Sequence, residues 1–552
     1  MTIQLPQQLE RLDDTLPGVR SRVVLGFVFS LIIALGSWGS GAVLEPYIAS
    51  LAPGFELTSR TGGSPLAATI TMAGLVGMVW VWWGLRNRGV TASQWAWIIL
   101  LWAAPLLIAA PLQSRDMYSY AAQGQLLHEG LSPYTNAVRD MDSDWVRHTS
   151  AVWLVSPSPY GPFFLMIARA AAMISGGNIL VALAVFRLSA VVALVATTWG
   201  VSEISRRLGL APERASMIGW LALANPFVLT QVVAGGHNDA LTTALIVVAV
   251  LFAWNKRLAA ASIAVALAAM VKVTAVIALP FVALLWLVVA RPVTFRNLVS
   301  ALLRSVGYAM IPAVLLSLGL GLGFDWVIPV DGLEEGISPS LVSAVGVVIG
   351  TLGGLLGGGF AAVESTVAIA QSLGVLAMMV ALVVTFVVLA GRVLVDAGGR
   401  SAADPGGVSA ANTGWDTTAT IERIIQGLAV GLTITVALAP TIRVWYILWF
   451  LPVAALVLTE KRLITALAVL TTFATIWVLP DGNSVNFPAL NPMFIVIGVA
   501  LMGFLVYLWQ LWTRNLAADS KAVSSAILRG TTSDPSPATV TPGEEGLVTA
   551  RS

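Results

Sequence analysis

A few short polar clusters stand out in a chain that is otherwise almost wholly apolar. The first, Gln113-Ser114-Arg115-Asp116-Met117-Tyr118-Ser119-Tyr120, directly follows an apolar run. Ser114 is a good N-cap for a helix running to about Glu129, with Gly130 and Pro133 ending it. On that helix Asp116, Tyr120 and Gln123 fall at i, i+4 and i+7 and share one polar face. A carboxylate beside two tyrosines at a membrane–water boundary suits abstraction of a proton from a sugar hydroxyl. The bland alternative is a first-turn helix charge paired with Arg115. The helix N-terminus also stabilises the anion and lowers its basicity, which a late proton transfer tolerates.

Three more clusters lie far away in sequence. Asn225-Pro226 leads to Gly235-Gly236-His237-Asn238-Asp239, where three consecutive polar side chains beside a Gly-Gly turn make a hydrogen-bonding station or an ordinary turn with an N-cap. Lys272 lies between Ala-rich helices, where a boundary lysine is costly unless it works or snorkels to the interface. Thr441-Ile442-Arg443-Val444-Trp445-Tyr446 follows Pro440; an interfacial aromatic belt explains the Trp and Tyr but not the arginine. Two weaker signals carry less. Asp140, Asp142 and Asp144 alternate as a hard-cation loop would, but a solvated acidic loop explains them better. The glycines from 350 to 359 have no strand–helix unit around them and make no nucleotide fingerprint.

The elements that must position these residues are transmembrane helices. Of 552 residues 57% are hydrophobic and 11% charged, against about 25% charged in soluble domains, which excludes a soluble enzyme. A net charge of +2 excludes a nucleic-acid binder, and zero cysteines exclude thiolate or iron–sulfur chemistry. With three histidines no metal centre is expected, and no cofactor. Apolar runs at roughly 23–42, 66–85, 94–113, 179–204, 213–234, 239–254, 258–271, 274–290, 303–323, 365–391, 422–440, 446–459, 462–479 and 491–512 predict an all-α bundle of about fourteen spans. Pro162–Ile174 and the Gly-rich 341–360 are expected to be interfacial or cavity-lining. The expected domains are a cytoplasmic segment 1–22, a catalytic membrane domain 23–513 and a disordered cytoplasmic tail 514–552. Within the domain, 113–178 is a large external loop and 396–417 a flexible cytoplasmic one.

With the N-terminus inside, all but eight of the 30 basic residues fall in cytoplasmic segments. The eight are Arg60, Arg115, Arg139, Arg147, Arg169, Arg187, Lys272 and Arg443. Asp116, His237, Lys272 and Arg443 then meet at the outer face, with His128 and His148 on that side too. A base and several cations on one face suit transfer of a sugar from a lipid phosphate, whose growing negative charge the cations stabilise. Phosphate leaves readily, so one base and a cationic clamp suffice for single displacement with inversion, without the second carboxylate of glycoside hydrolysis. A transporter or flippase coupled through Asp116 and Lys272 would place its polar site at the midplane instead, and a structural scaffold gives no reason for so long a polar loop.

These segments, together with Ser132-Pro133-Tyr134 and Ser158-Pro159-Tyr160-Gly161-Pro162, resemble the GT-C glycosyltransferases. Within that group they are similar to the actinobacterial polyprenol-phosphomannose-dependent alpha-1,6-mannosyltransferases of lipomannan and lipoarabinomannan biosynthesis, over roughly residues 20–515. The resemblance implies Asp116 as the catalytic base and polyprenyl-phosphate-mannose as donor. It further implies transfer to the 6-hydroxyl of a mannosylated glycolipid, on the extracytoplasmic side of the plasma membrane. The expected donor-phosphate ligands are Lys272, Arg443 and His237. The expected substrate contacts are Arg115, Tyr118, Tyr120, Gln123, Tyr160, Asn238, Asp239, Trp445 and Tyr446. Many GT-C proteins carry the aspartate after the first span, whereas here it follows the third apolar run.

The topology is open to a direct test, because the chain has no cysteine of its own. In intact cells an impermeant maleimide should label Ser143→Cys and spare Ser401→Cys. The reverse pattern would overturn the assignment of sides.

Overall fold

The computed structural model describes residues 18–42, 64–143, 145–327, 340–403, 416–481 and the single positions 503 and 510. The tail 514–552, most of 1–22, the run 491–512 apart from those two positions, Asp144 and residues 404–415 lie outside the described residues. In chain order the main helices are α1 (Val19–Ser40), α2 (Pro65–Leu85), α3 (Ala92–Leu106), α4 (Asp116–His128), α5 (Pro162–Ser175), α6 (Ile179–Arg207), α7 (Pro212–Leu223) and α8 (Pro226–Ala234). There follow α9 (Asp239–Trp254), α10 (Leu258–Ala269), α11 (Val273–Ala290), α12 (Phe295–Gly319), α13 (Leu341–Gly353), α14 (Gly359–Ala403), α15 (Thr417–Ala437), α16 (Val444–Val457) and α17 (Lys461–Trp477). No strand occurs among the described residues.

Each described apolar run is a helix, but fewer cross a bilayer at full length than the run count suggested. Among the described residues α1, α2, α6, α11, α12, α14 and α15 are long and apolar enough. The pair α7–α8, bent by 42° at Asn225-Pro226, makes an eighth if it is one span. The shorter α3, α9, α10, α16 and α17 have between 12 and 17 residues. At 1.5 Å per residue they reach only about 18–26 Å of a hydrocarbon core of ~30 Å. Hydropathy counts apolar residues whether or not one helix contains them. The breaks at Gly235-Gly236, Val271-Lys272 and Pro440 cut these runs short, and they are the places where the polar clusters sit.

Two stretches gain detail. The Gly-rich 341–360 forms α13 and a widened turn into α14. An added Cβ at Gly346 or Gly350 would lie 2.6 Å from the α-carbon of Val367 or Val363, so these glycines let two helices pack backbone to backbone. The segment 396–417 is not wholly a loop, since α14 continues to Ala403. Pro162–Ile174 becomes α5, which packs along α4.

The basic connections assigned to one side do meet there. Arg86 donates to Thr465 Oγ1 at 2.8 Å, Arg207 to Asn255 Oδ1 at 2.7 Å, and Arg214 pairs with Glu422 at 2.9 Å. Arg423 lies 3.4 Å from Asp396. On the same part of the bundle Trp82 and Trp220 stack at 4.4 Å, each indole donating to the other's backbone carbonyl. That reciprocal lock fixes α7 against α2. At the opposite end, Gly124 of α4 approaches α5 so closely that an added Cβ would collide with the Ala168 carbonyl.

Gly124→Ala should therefore force α4 and α5 apart, costing about 1–3 kcal/mol as overpacking does. Gly307→Ala, at a helical position with open space around it, should be neutral or stabilising by up to about 1 kcal/mol. Paired thermal melts of the detergent-purified proteins check this; equal melting temperatures would refute the close-packing account.

Candidate active site

The breaks between helices bring together five segments that are far apart in sequence. The first turn of α4 supplies Asp116 and Tyr120, and its next turn Gln123. Helix α4 begins one residue later than Ser114 capping requires: Arg115 takes the N-cap position, and Ser114 Oγ accepts from the Asp116 amide at 3.0 Å. The second segment is Tyr160, held in place by Gly161, where an added Cβ would lie 2.6 Å from the α-carbon of Met270. That contact sets Tyr160 beside Lys272, which is the third segment. The fourth is Gly235–Asp239, where Gly236 has φ +62° and faces Met117 at a distance that leaves no room for a Cβ. A side chain there would be strained by the backbone and would push His237 away from α4. The fifth is Arg443–Tyr446, the entry to α16.

Acidic and basic groups alternate. Asp116 Oδ2 lies 3.4 Å from His237 Nδ1 and 3.4 Å from the Tyr120 hydroxyl, which donates to it. Asp116 Oδ1 accepts from the Trp153 indole N–H at 3.2 Å. The Arg115–Asp116 pair is not formed, and Asp116 is 7% exposed, so the bland surface-pair account fails. Asp239, fully buried, accepts at Oδ1 from Trp449 Nε1 at 2.7 Å and lies 3.8 Å from Lys272 Nζ. The Lys272 ammonium sits 4.7 Å from the Tyr160 ring centroid and 5.5 Å from that of Tyr446, a partial aromatic cage. His237 stacks on Trp445 at 4.0 Å, and Tyr446 on Trp449 at 4.4 Å.

Burial alone would raise the Asp116 carboxyl. The hydrogen bond and charge of His237, with the charges of Lys272 and Arg443, outweigh it and hold the carboxyl below its ordinary value. Tyr120 and Tyr160 are pushed well up, by burial first and by neighbouring anionic groups second, so both remain hydroxyl donors. Several buried atoms here find no hydrogen-bond partner among the described residues: Gln123 Nε2, His237 Nε2, both amide atoms of Asn238, Asp239 Oδ2 and Thr274 Oγ1. Mixed donors and acceptors of this kind suit a polyhydroxylated ligand. No group of three or more His, Asp or Glu able to hold a metal occurs among the described residues.

Most of the residues singled out in the sequence thus converge: Asp116, Tyr120, Tyr160, His237, Asp239, Lys272, Trp445 and Tyr446 by direct contact, Arg443 by its charge. Gln123 joins through Ser158, whose hydroxyl donates to its Oε1 at 2.8 Å. Arg115 is half-buried at the N-cap, outside these contacts. Tyr118 points elsewhere, its hydroxyl donating to the Ala42 carbonyl at 2.6 Å. Asp140 caps a local turn through the Ala137 amide, and Asp142 is exposed. Exposed His128 ends α4 beside a cleft of about 320 Å3 that also takes in Gln125, Ser143 and Met173. No member of the charged cluster lines that cleft, so the chemistry is assigned to the cluster. Trp153 and Trp449 were missed. Trp449 was open to inference, one turn after Trp445, whereas nothing local marks Trp153 as a partner of Asp116.

The chain is similar to known proteins over most of its length. A family model described as alpha-(1->6)-mannopyranosyltransferase, N-terminal domain, matches residues 23–291, which contain Asp116, His237 and Lys272. A second, the MptB C-terminal domain, matches residues 406–509. The chain is 27% identical to an alpha-(1->6)-mannopyranosyltransferase A of Mycobacterium tuberculosis, over 86% of this chain and 88% of that one. It is 27% identical to an alpha-(1->6)-mannopyranosyltransferase B of Corynebacterium glutamicum, over 89% and 81% respectively. A probable alpha-(1->6)-mannopyranosyltransferase of Mycolicibacterium smegmatis is 29% identical, over 80% of each. No solved structure matches.

Proposed function

The chain belongs to the alpha-(1->6)-mannopyranosyltransferase family and is a membrane-bound mannosyltransferase; from that premise we propose that it transfers mannose with inversion from a polyprenyl-phosphate-mannose to the 6-hydroxyl of a mannosylated glycolipid. The observation that carries this is the buried juxtaposition of Asp116 with His237 and of Asp239 with Lys272 at one end of the bundle. In this reading the architecture is of the GT-C type, with the short apolar helices as additional thin crossings. The site opens extracytoplasmically at the plasma membrane, and the product extends an alpha-1,6-mannan backbone. No metal or cofactor takes part.

The acceptor's 6-oxygen attacks C1 of mannose as Asp116 removes its proton. The bond from C1 to the phosphate oxygen breaks, and polyprenyl phosphate leaves with the electron pair. A beta-linked donor gives an alpha product. The phosphate gains one negative charge in this step, and Lys272, His237 and Arg443 are placed to stabilise it. A carboxylate held as acidic as Asp116 is a weak base. It takes the proton only as the C1–O bond forms and the hydroxyl becomes acidic. The unpartnered atoms of Gln123, Asn238 and Asp239 are available to the sugar hydroxyls.

Two substitutions test the assignment. Asp116→Asn keeps shape and size but cannot accept the proton, so turnover should fall at least ~10²-fold at saturating donor. Asp116→Glu should recover little, because the extra methylene misplaces the carboxylate. Equal transfer rates for wild type and Asp116→Asn would remove Asp116 from the base role. Lys272→Ala deletes one charge-assisted contact worth roughly 1.5–3 kcal/mol. Donor use should weaken about ten- to a hundredfold, and unchanged donor kinetics would refute the phosphate clamp.

A further inference from the structure

Trp153 lies in none of the polar clusters, yet its indole N–H meets Asp116 Oδ1 at 3.2 Å. It sits on a short helical turn, Ala151–Val155, within the long loop between α4 and α5. That turn begins at Ser150, whose carbonyl accepts from the Trp153 amide at 2.9 Å. The ring is only partly covered and leans on Tyr160, with centroids 6.1 Å apart and planes at 44°. Tyr160 in turn backs Lys272. Trp153 therefore bridges the carboxylate and the cationic clamp from the loop side, while every other partner of Asp116 comes from α4 or from the bundle.

Indole nitrogen is a donor only, so this contact favours the anionic carboxylate and fixes which oxygen faces the loop. Oδ2 accepts from Tyr120 and faces His237 Nδ1, each at 3.4 Å. Oδ1 carries the indole alone, and a carboxylate oxygen has capacity for a second donor. Oδ1 is therefore the oxygen with capacity for an incoming hydroxyl, and the partly exposed indole lies beside it. Indole presents a broad apolar face beside a polar edge, which is the shape that an apolar sugar face with an equatorial or exocyclic hydroxyl requires.

We propose that Trp153 is the acceptor platform and a positioning residue for Asp116: its ring face stacks on the accepting sugar while its N–H holds Oδ1 toward the incoming hydroxyl. This rests on Asp116 being the base. The ligand class is a terminal pyranose of the acceptor, not the donor sugar, whose phosphate lies toward Lys272. The other groups that face Asp116 are Tyr120 on its own helix, His237 on the turn after α8, Lys272 after α10 and Arg443 before α16.

The two roles separate in two variants, assayed on the full-length enzyme in detergent with a polyprenyl-phosphate-mannose donor and an octyl alpha-1,6-dimannoside acceptor. Trp153→Phe keeps the ring and deletes the N–H. The acceptor KM should stay within about twofold, while the acid limb of kcat/KM moves up by about one pH unit, because one donor to the anion is gone. Trp153→Ala deletes both. The acceptor KM should rise about tenfold, as loss of an aromatic contact does, with the donor KM unchanged. An unmoved acid limb in Trp153→Phe, or an unchanged acceptor KM in Trp153→Ala, would overturn the proposal. Asp116→Asn run in parallel keeps the two ideas apart. If it stays fully active the base assignment itself fails, whereas an inactive Asp116→Asn beside an unmoved Trp153→Phe profile sinks this inference alone.

Discussion

Two carboxylates are buried at one end of a membrane bundle, and much of the architecture follows from what that requires. An unpaired charge out of water costs several kcal/mol, so each carboxylate needs a cation and hydrogen-bond donors within reach. Asp116 has His237, Trp153 and Tyr120; Asp239 has Lys272 and Trp449. No single helix could provide these sets, since residues on one helix face recur only every three or four positions. The cluster has to be assembled from helix ends, and the chain supplies ends by breaking its helices there.

Breaking helices inside a membrane exposes backbone groups that lipid cannot satisfy, so breaks are tolerated only where protein or water covers them. The chain meets this with side chains. Asn225 caps the kink between α7 and α8, accepting from the Phe227 amide and donating to the Leu221 carbonyl and to Thr471. Gln113, at φ +63°, donates to the Thr475 and Val478 carbonyls and accepts from Gln231. Arg187 donates to the Leu107 and Ala109 carbonyls beyond the proline-containing end of α3. Arg187, one of the eight basic residues placed outside the cytoplasmic segments, is thus structural. It completes the backbone bonding of its neighbour and takes no part in the charged cluster.

This division explains what could be read from the sequence. Asp116, His237, Lys272 and Arg443 were legible because polar residues at the ends of apolar runs have few innocent explanations, and charge asymmetry sends those ends to one face. The number of full-length crossings was not legible. Hydropathy sees apolar composition, while the length of a helix is set by local breaks such as Gly235-Gly236 and Val271-Lys272. The packing role of Gly346 and Gly350 was not legible because a lone sequence does not say what packs on a glycine; they are contact positions opposite Val367 and Val363. Trp153 was invisible for the same reason. Its link to Asp116 is 37 positions long and runs through α4 and then an irregular loop, across which no periodicity carries.

The two aspartates show how identical side chains are given different work by their surroundings. Asp239 is fully buried, with Oδ1 shared between Trp449 and Lys272, so its charge is committed to holding the ammonium between Tyr160 and Tyr446. A base locked in that way could not release its partner to meet a substrate without leaving Lys272 uncompensated. The Asp116 side chain keeps 10% of its surface exposed and meets Trp153 of the loop between α4 and α5, with the charges of Lys272 and Arg443 near it. In the proposed reaction a donor phosphate that engaged those cations would weaken their hold on Asp116 and raise its basicity. Donor binding would thus prepare the base before the acceptor arrives. In that reading the same groups that keep the empty site's carboxylate a weak base are drawn to the leaving group as its charge grows.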